Sequence, residues 1–321
     1  MIDLSVIVPI FSEEKNILPF LDRTISVIKK LNLNYEIIFA LDPSEDDSEN
    51  IIIKEASKNK NIKMISFSRR FGQPSATIAG LSESKGKYCV VIDVDLQDPP
   101  ELIESLYRKI ESEKSYDVVM AKRKARKGET QIKKIFTSIG YFLINKMTDI
   151  KIPRNTGDFR IMSRRVVEEI KKLNETHGFL RGLVSFVGFK QTFVEYERDE
   201  RFQGKGKYNK YFGSIKIGMN GLFGFTSKPL VIMSTVGFAF AFVSFLLGLW
   251  YLVQKLMGVD FTPGLPTTVL VITFFSGIQL LGMGLLGEYI SRIYDEVKNR
   301  PQYIIDKKIN FNEKKGWKKK F

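Results

Sequence analysis

Asp93 and Asp95 lie one residue apart where the apolar run Val90-Val91-Ile92 ends, and Leu96, Gln97, Asp98 and the pair Pro99-Pro100 follow at once. Side chains alternate along an extended chain, so carboxylates at i and i+2 project to the same side. Oxygen donors placed this way suit a hard divalent cation, Mg2+ or Mn2+, that keeps part of its coordination shell for the oxygens of a phosphate-bearing ligand. Asp93, Asp95 and Gln97 are therefore the candidate metal donors. Histidine and cysteine occur once each among 321 residues, which excludes a disulfide framework and argues against zinc or histidine-based chemistry.

The elements that must position these carboxylates can be read from hydrophobic patterning. Strands are expected at Leu4–Pro9, Tyr35–Leu41, Ile62–Phe67, Tyr88–Ile92 and Asp117–Ala121, and helices at Glu13–Leu31, Ser48–Lys58, Pro74–Ser84 and Pro100–Glu111. Strand and helix alternating at this spacing predict a doubly wound α/β domain, a parallel sheet covered on both faces. Ligands of such sheets bind at the carboxyl ends of the strands. Four polar clusters fall there: Ser12-Glu13-Glu14, Asp42 to Asp46, Ser68 to Gly72, and Asp93 to Asp98. They are read as one shared site.

Two runs further on, Leu230–Gln254 and Thr267–Gly287, carry no charged residue. At about 1.5 Å of rise per residue the shorter is about 31 Å long, enough to cross the hydrocarbon of a bilayer. Lys228 precedes the pair, and Arg292, Lys298, Arg300 and a lysine-rich tail follow it. Positive flanks stay inside, so the N-terminal domain and the tail are both expected on the cytoplasmic face of a plasma membrane, bacterial in type. Met1 to Ser5 has no basic stretch leading into an apolar core, and no signal peptide is expected. The net charge of +14 calls for acidic partners. Basic residues interleaved with Tyr208, Tyr211, Phe212, Phe223 and Phe225 just before the first span suit a helix in the lipid headgroup layer better than a nucleic-acid grip. The expected division is a cytoplasmic domain over 1–208, a basic amphipathic connector over 209–228, two spans within 229–288 and a basic tail over 289–321. Gly282-Met283-Gly284-Leu285-Leu286-Gly287 spells a dinucleotide fingerprint, but inside an apolar span it reads as close helix packing.

Taken together, the motifs resemble the polyisoprenyl-phosphate glycosyltransferases of glycosyltransferase family 2, the dolichol-phosphate mannose synthase-like and bactoprenol glucosyltransferase-like enzymes. Val6 to Ile17 is similar to V-P-x-x-N-E-E-x-N-I with Ser12 in place of Asn, and Asp93 to Glu101 matches D-x-D-L-Q-D-P-P-E. Gly157-Asp158-Phe159-Arg160 matches G-D-F-R, and Phe179-Leu180-Arg181-Gly182 matches F-L-R-G. Gly287 to Tyr303 looks like the signature after the second span. Two departures stand out. Leu41-Asp42-Pro43-Ser44 replaces D-D-G-S, and Gly206 replaces Ser in R-x-x-G-x-S-K-Y.

The resemblance implies a GT-A type nucleotide-sugar-binding domain followed by the membrane hairpin. It implies an inverting transfer from a nucleotide sugar, with a uridine donor favoured, to a polyisoprenyl phosphate lipid in the membrane. It further implies Mg2+ or Mn2+ as cofactor, self-association, and no nucleic-acid partner. Pro9, Phe11, Glu13, Asp42, Arg69, Asp93 and Asp95 are then the donor-binding residues. Asp158, Asp95 and Arg160 are the catalytic group, and Arg123, Arg126, Arg201, Lys205 and Lys207 are the supply of positive charge for the acceptor phosphate. An already anionic phosphate, with its second pKa near ~6, gains little from a base, so Asp158 is read either as a base or as a group that orients. Two other classes stay open on the residues alone: a catalytically idle, membrane-tethered nucleotide-sugar-binding module, and a membrane-anchored RNA- or phospholipid-binding protein.

Overall fold

The computed structural model describes residues 1–124, 153, 156–173, 175, 180–198, 223–258 and 264–311. The chain opens with β1 (Leu4–Ile10), α1 (Glu14–Lys30), β2 (Tyr35–Leu41), α2 (Ser48–Lys58), β3 (Ile62–Phe67), α3 (Gln73–Glu83), β4 (Tyr88–Val91), α4 (Leu102–Ser112) and β5 (Val118–Arg123). These are the expected elements, with bounds shifted by a few residues. Every residue of β1 and β3 is buried. Helices cover both faces of the sheet, so these strands read as continuous apolar runs rather than alternating ones.

After 125–152 come β6 (Thr156–Ser163), α5 (Arg164–Lys172), α6 (Leu180–Val187) and β7 (Gln191–Tyr196). The sheet order is β7-β5-β6-β4-β1-β2-β3-β8, with β8 at Ile305–Ile309. Strands β1 to β4 are parallel, as expected. The wholly parallel sheet is corrected at both ends, because β6 inserts antiparallel between β4 and β5 while β8 lies antiparallel on β3. Pairing Val91 with Arg160 sets the β4–β6 register. Carried two residues further, that register places the Asp158 end of β6 opposite Asp93, with both side chains on one face.

Two helices, α7 (Lys228–Leu256) and α8 (Leu265–Val297), are long and apolar enough to cross a membrane. A Cβ added at Gly282 would lie 2.8 Å from Met233 Cε, so this glycine of the fingerprint look-alike serves helix contact, whereas Gly284 and Gly287 face open space. The residues beyond the second span are not a plain basic tail. Helix α8 continues to Val297, and the chain then returns to the catalytic sheet as β8. The Ser68 amide donates to Ile304 O at 3.0 Å, Tyr303 packs against Phe67 at 5.9 Å between ring centres, and Asn310 Nδ2 donates to Ala56 O and Ile62 O at 2.7 Å each. The connector lies outside the described residues up to Phe223. From there, Phe223 stacks edge-on with Tyr289 at 5.3 Å, and Tyr289 Oη donates to Thr226 O at 2.7 Å.

The sheet also encloses a charge. Glu36 on β2 is fully buried and accepts from Ser5 Oγ, Lys63 Nζ and the Lys85 amide, each at 2.6 Å. Removing one partner of a buried pair leaves an uncompensated charge, at a cost of about 3–5 kcal/mol. Glu36→Leu should therefore lower the thermal unfolding midpoint strongly, and adding Lys63→Met should recover part of the loss. A midpoint unchanged in Glu36→Leu would show that this network contributes nothing to stability.

Candidate active site

The site forms along the carboxyl ends of β1 to β4, as the polar clusters implied. At its base the β1–α1 and β2–α2 loops interlock. The amide of Ser12 donates to Ser44 Oγ (2.9 Å), that of Glu13 to Ser48 Oγ (3.0 Å) and that of Glu14 to Asp46 Oδ2 (3.1 Å), while the Asp47 amide donates back to Glu14 Oε2 (3.0 Å). Ser12 adopts φ 50, a left-handed conformation that side chains other than Gly, Asn and Asp rarely take, and the crossed hydrogen bonds hold it there. Leu41, standing where the resembled family carries an acid, ends β2 with its side chain in the core.

Asp42 is placed differently from the expectation that it binds the donor directly. It is buried, and its two carboxylate oxygens accept the amides of Phe71 and Gly72 at 2.9 Å each. Those bonds fix the β3–α3 loop, in which Gly72 turns with φ +89. The fixed loop delivers Gln73, the first residue of α3, whose Nε2 donates to Asp93 Oδ1 at 2.8 Å. On the same loops Arg70 stacks on Phe11 (3.8 Å to the ring centre) and Arg69 on Phe71 (4.1 Å). Phe11 and Arg69 thus sit at the rim, whereas Pro9 is buried within β1 and Glu13 accepts from Asn16 Nδ2 at 2.6 Å.

Asp93 is half-buried and Asp95 buried. The Gln97 amide donates to Asp95 Oδ1 at 3.2 Å, and between them Leu96 holds φ 59 with its side chain in the core. Burial, together with the charges of Asp158, Asp95 and Asp98, pushes the Asp93 carboxyl up to about 7. Asp158 behaves in the opposite way. Burial would raise it, but the guanidinium of Arg181, with Nε 2.9 Å from Asp158 Oδ1, and then Arg160 and Arg123 hold it below the usual carboxylate range.

Arg160 is 1% exposed and donates to Gly157 O at 2.8 Å and Asp158 O at 3.4 Å. Burial pulls its guanidinium down to about 10, still charged at neutral pH. Its contacts are to the backbone at the start of β6, where it holds Gly157 and Asp158 in place. A Cβ on Gly157 would lie 2.8 Å from Arg123 Nη2, so any larger residue there would displace the end of that arginine. Arg126, Arg201, Lys205 and Lys207 lie outside the described residues. Arg181, Gln73, Tyr196 and Arg198 join the site without having been assigned roles from sequence. The F-L-R-G motif was the available signal for Arg181.

Among the described residues, no group of three or more His, Cys, Asp or Glu side chains could hold a metal by itself. Two carboxylates and an amide suit instead a Mg2+-like ion that is completed by ligand phosphates and water. A carboxyl driven up by neighbouring carboxylates marks a place where added positive charge would be welcome, so the donor set fits a divalent cation shared with a diphosphate.

A family model described as Glycosyl transferase family 2 matches residues 5–171. The chain belongs to glycosyltransferase family 2. It is 43% identical over 314 residues to the Bacillus subtilis glycosyltransferase YkcC, covering 98% of this chain and 96% of the relative. It is 39% identical over 305 residues to a glycosyltransferase of Synechocystis, covering 95% of each. The prophage-derived bactoprenol glucosyl transferase of Shigella flexneri is 40% identical over 305 residues, covering 95% of this chain and 97% of the relative. The α/β domain is thus of the GT-A, nucleotide-sugar-binding type.

Because Asp93 holds its proton up to about 7, against 3.8 for an ordinary carboxyl, the folded chain loses stability as pH climbs through that window. A cation that requires the ionised form must displace that proton. Apparent Mn2+ affinity, read from the shift of the thermal midpoint in millimolar Mn2+, should therefore weaken by up to about tenfold per pH unit below 7 and level off above it. A stabilisation independent of pH between ordinary carboxylate values and 8 would contradict this electrostatic picture.

Proposed function

We propose that the chain transfers a sugar from a nucleotide-sugar donor, uridine-linked, to the phosphate of a polyisoprenyl lipid, with inversion at the anomeric carbon and with Mg2+ or Mn2+ as cofactor. The observation that carries this reading is the convergence of Asp93, Asp95, Asp98 and Asp158 at one sheet rim in a chain that also bears two apolar helices. The Shigella relative's name, bactoprenol glucosyl transferase, supports a lipid carrier as acceptor.

In this reading a lipid-phosphate oxygen attacks the anomeric carbon, the bond from that carbon to the donor's diphosphate breaks, and the nucleoside diphosphate leaves with the electron pair. Asp93 and Asp95, with Gln97, would hold the divalent ion, which when bound supplies Lewis-acid neutralisation of charge building on the leaving diphosphate. Gln73 orients Asp93, and Phe11 and Arg69 flank the nucleoside. Asp42 acts one step back, through the β3–α3 loop that it fixes. The acceptor phosphate is already anionic at neutral pH, and Asp158 is ionised and paired with Arg181. Because that acceptor has no proton to lose and the Arg181 pair makes Asp158 a weak base, Asp158 orients instead of abstracting a proton, while Arg160 keeps its backbone in place. Arg123 supplies positive charge to the acceptor, together with Arg126, Arg201, Lys205 and Lys207. The two helices cross the membrane with the catalytic domain and both ends of the chain on the cytoplasmic side, and Lys228, Arg292, Lys298 and Arg300 support that orientation. The chain is expected to self-associate.

Detergent-solubilised protein given labelled nucleotide sugars, polyprenyl phosphate and Mg2+ or Mn2+ should yield a labelled, organic-soluble product, and Asp95→Ala should reduce the rate roughly a thousandfold. Absence of any such product across a panel of donors would overturn the reading. Asp158→Asn should lower the rate by the same factor at every pH between 5.5 and 9, roughly from one unit above an ordinary carboxylate to the onset of lysine titration. A ratio of wild-type to Asp158→Asn rates that changes with pH across this window would make Asp158 a base after all.

A further inference from the structure

The geometry points to Asp98 as the positioning residue that gathers Arg123, Arg198 and Tyr196 onto one carboxylate, and so presents two guanidinium groups to a phosphate monoester at the edge of the donor site. The inference rests on the reading above that the acceptor is a lipid phosphate. Asp98 is 2% exposed, and its three partners come from the end of β5, the end of β7 and just beyond β7. Its Oδ1 accepts from the Tyr196 hydroxyl and from Arg198 Nε at 3.2 Å, and its Oδ2 accepts from Arg123 Nη2 at 3.4 Å. Arg123 Nε also donates to Tyr196 Oη at 3.2 Å, which closes a ring of three side chains.

The backbone prepares this ring. Strands β5 and β7 run parallel with Arg123 paired to Tyr196, so the two residues leave the sheet side by side. Asp98 is carried to them by the turn at Leu96 and held by Pro99 and Pro100, whose φ angles are restricted. Gly157 clears the path of Arg123.

The two guanidinium groups share one buried carboxylate, and their charge also reaches Asp93 from Arg198 and Asp158 from Arg123, so they lie at the border of the acidic rim. Both arginine side chains retain about a fifth of their surface exposed, 20% for Arg123 and 21% for Arg198. Planar guanidinium forks held at fixed angles suit tetrahedral phosphate oxygens. Asp98 itself would touch no substrate; it would set the directions of the two arginines and restrain their mutual repulsion. Asp98 and Arg198 carry no assigned part in the metal set, and Arg198 extends the acceptor group beyond the residues expected from sequence.

The test is binding of a short-chain prenyl phosphate to the full chain in detergent, measured by calorimetry without donor. Asp98→Asn keeps an acceptor for Tyr196 but loses the charge, and it should weaken prenyl phosphate binding about tenfold, while binding of a nucleoside diphosphate with Mn2+ does not weaken, because the Asp98 charge is one of those that raise Asp93. Arg198→Lys should weaken the prenyl phosphate by a comparable factor, and Tyr196→Phe by less. Should Asp98→Asn fail to fold, Arg198→Lys and Tyr196→Phe still decide. Prenyl phosphate affinity unchanged in the folded variants, equal losses for both ligands, or no binding by the wild type would each overturn the proposal. Transfer by the wild type is scored separately. Transfer that persists with Asp98→Asn binding normally sinks only this inference, whereas normal binding effects without any transfer sink the reading of the reaction.

Discussion

Burial of carboxylates close to one another is the constraint around which this site is built, desolvation first and mutual repulsion second. Asp93 meets Asp95 two residues away, Asp158 across the β4–β6 register and Asp98 just beyond, and it cannot stay ionised cheaply at neutral pH. Among the described residues, the neighbouring arginines have partners. Arg181 pairs with Asp158, Arg160 is buried against backbone carbonyls, and Arg123 and Arg198 share Asp98. In the proposed reaction a cation brought to Asp93 and Asp95 would relieve the cost of ionising Asp93, and the diphosphate brought with it would balance the remaining charge.

Everything else in the domain serves to hold that unfavourable arrangement in place. Asp42 fixes a loop, the loop fixes Gln73, and Gln73 fixes Asp93. The crossed bonds between the first two loops lock Ser12 at positive φ, and the core side chain of Leu96 does the same in the acidic motif. Strain of this kind persists where surrounding contacts over-determine the conformation. The return of the chain as β8 joins the hairpin to the same rim, because Ile304 O receives the Ser68 amide immediately before the loop that Asp42 restrains.

Much of this was legible in the sequence. Strands β1 to β4 and helices α1 to α4 were readable because a buried parallel sheet writes itself as short apolar runs between amphipathic helices, and the two spans because a bilayer demands length without charge. The antiparallel insertion of β6 was not readable. Thr156–Ser163 was visible only as the motif G-D-F-R, and pairing with β4 across more than sixty residues leaves no local periodicity. Strand β8 was hidden because Ile305-Asp306-Lys307-Lys308-Ile309 looks like a basic tail; its lysines instead find Glu49 and Glu83 along the sheet edge. Asp42 and Arg160 were picked out as site residues by their motifs, but burial turned both toward backbone groups. Asp98 was in view inside its motif, while its partners arrive from positions up to 100 residues away.

The central claim, that Asp93 and Asp95 grip a divalent ion jointly with a donor diphosphate, is tested most directly by pulsed electron paramagnetic resonance of Mn2+ with the detergent-solubilised chain and UDP. The account predicts phosphorus hyperfine coupling from the diphosphate to a protein-bound Mn2+, with that signal lost in a folded Asp95→Ala variant. Protein-bound Mn2+ that shows no phosphorus coupling, or coupling that persists unchanged without Asp95, would contradict it.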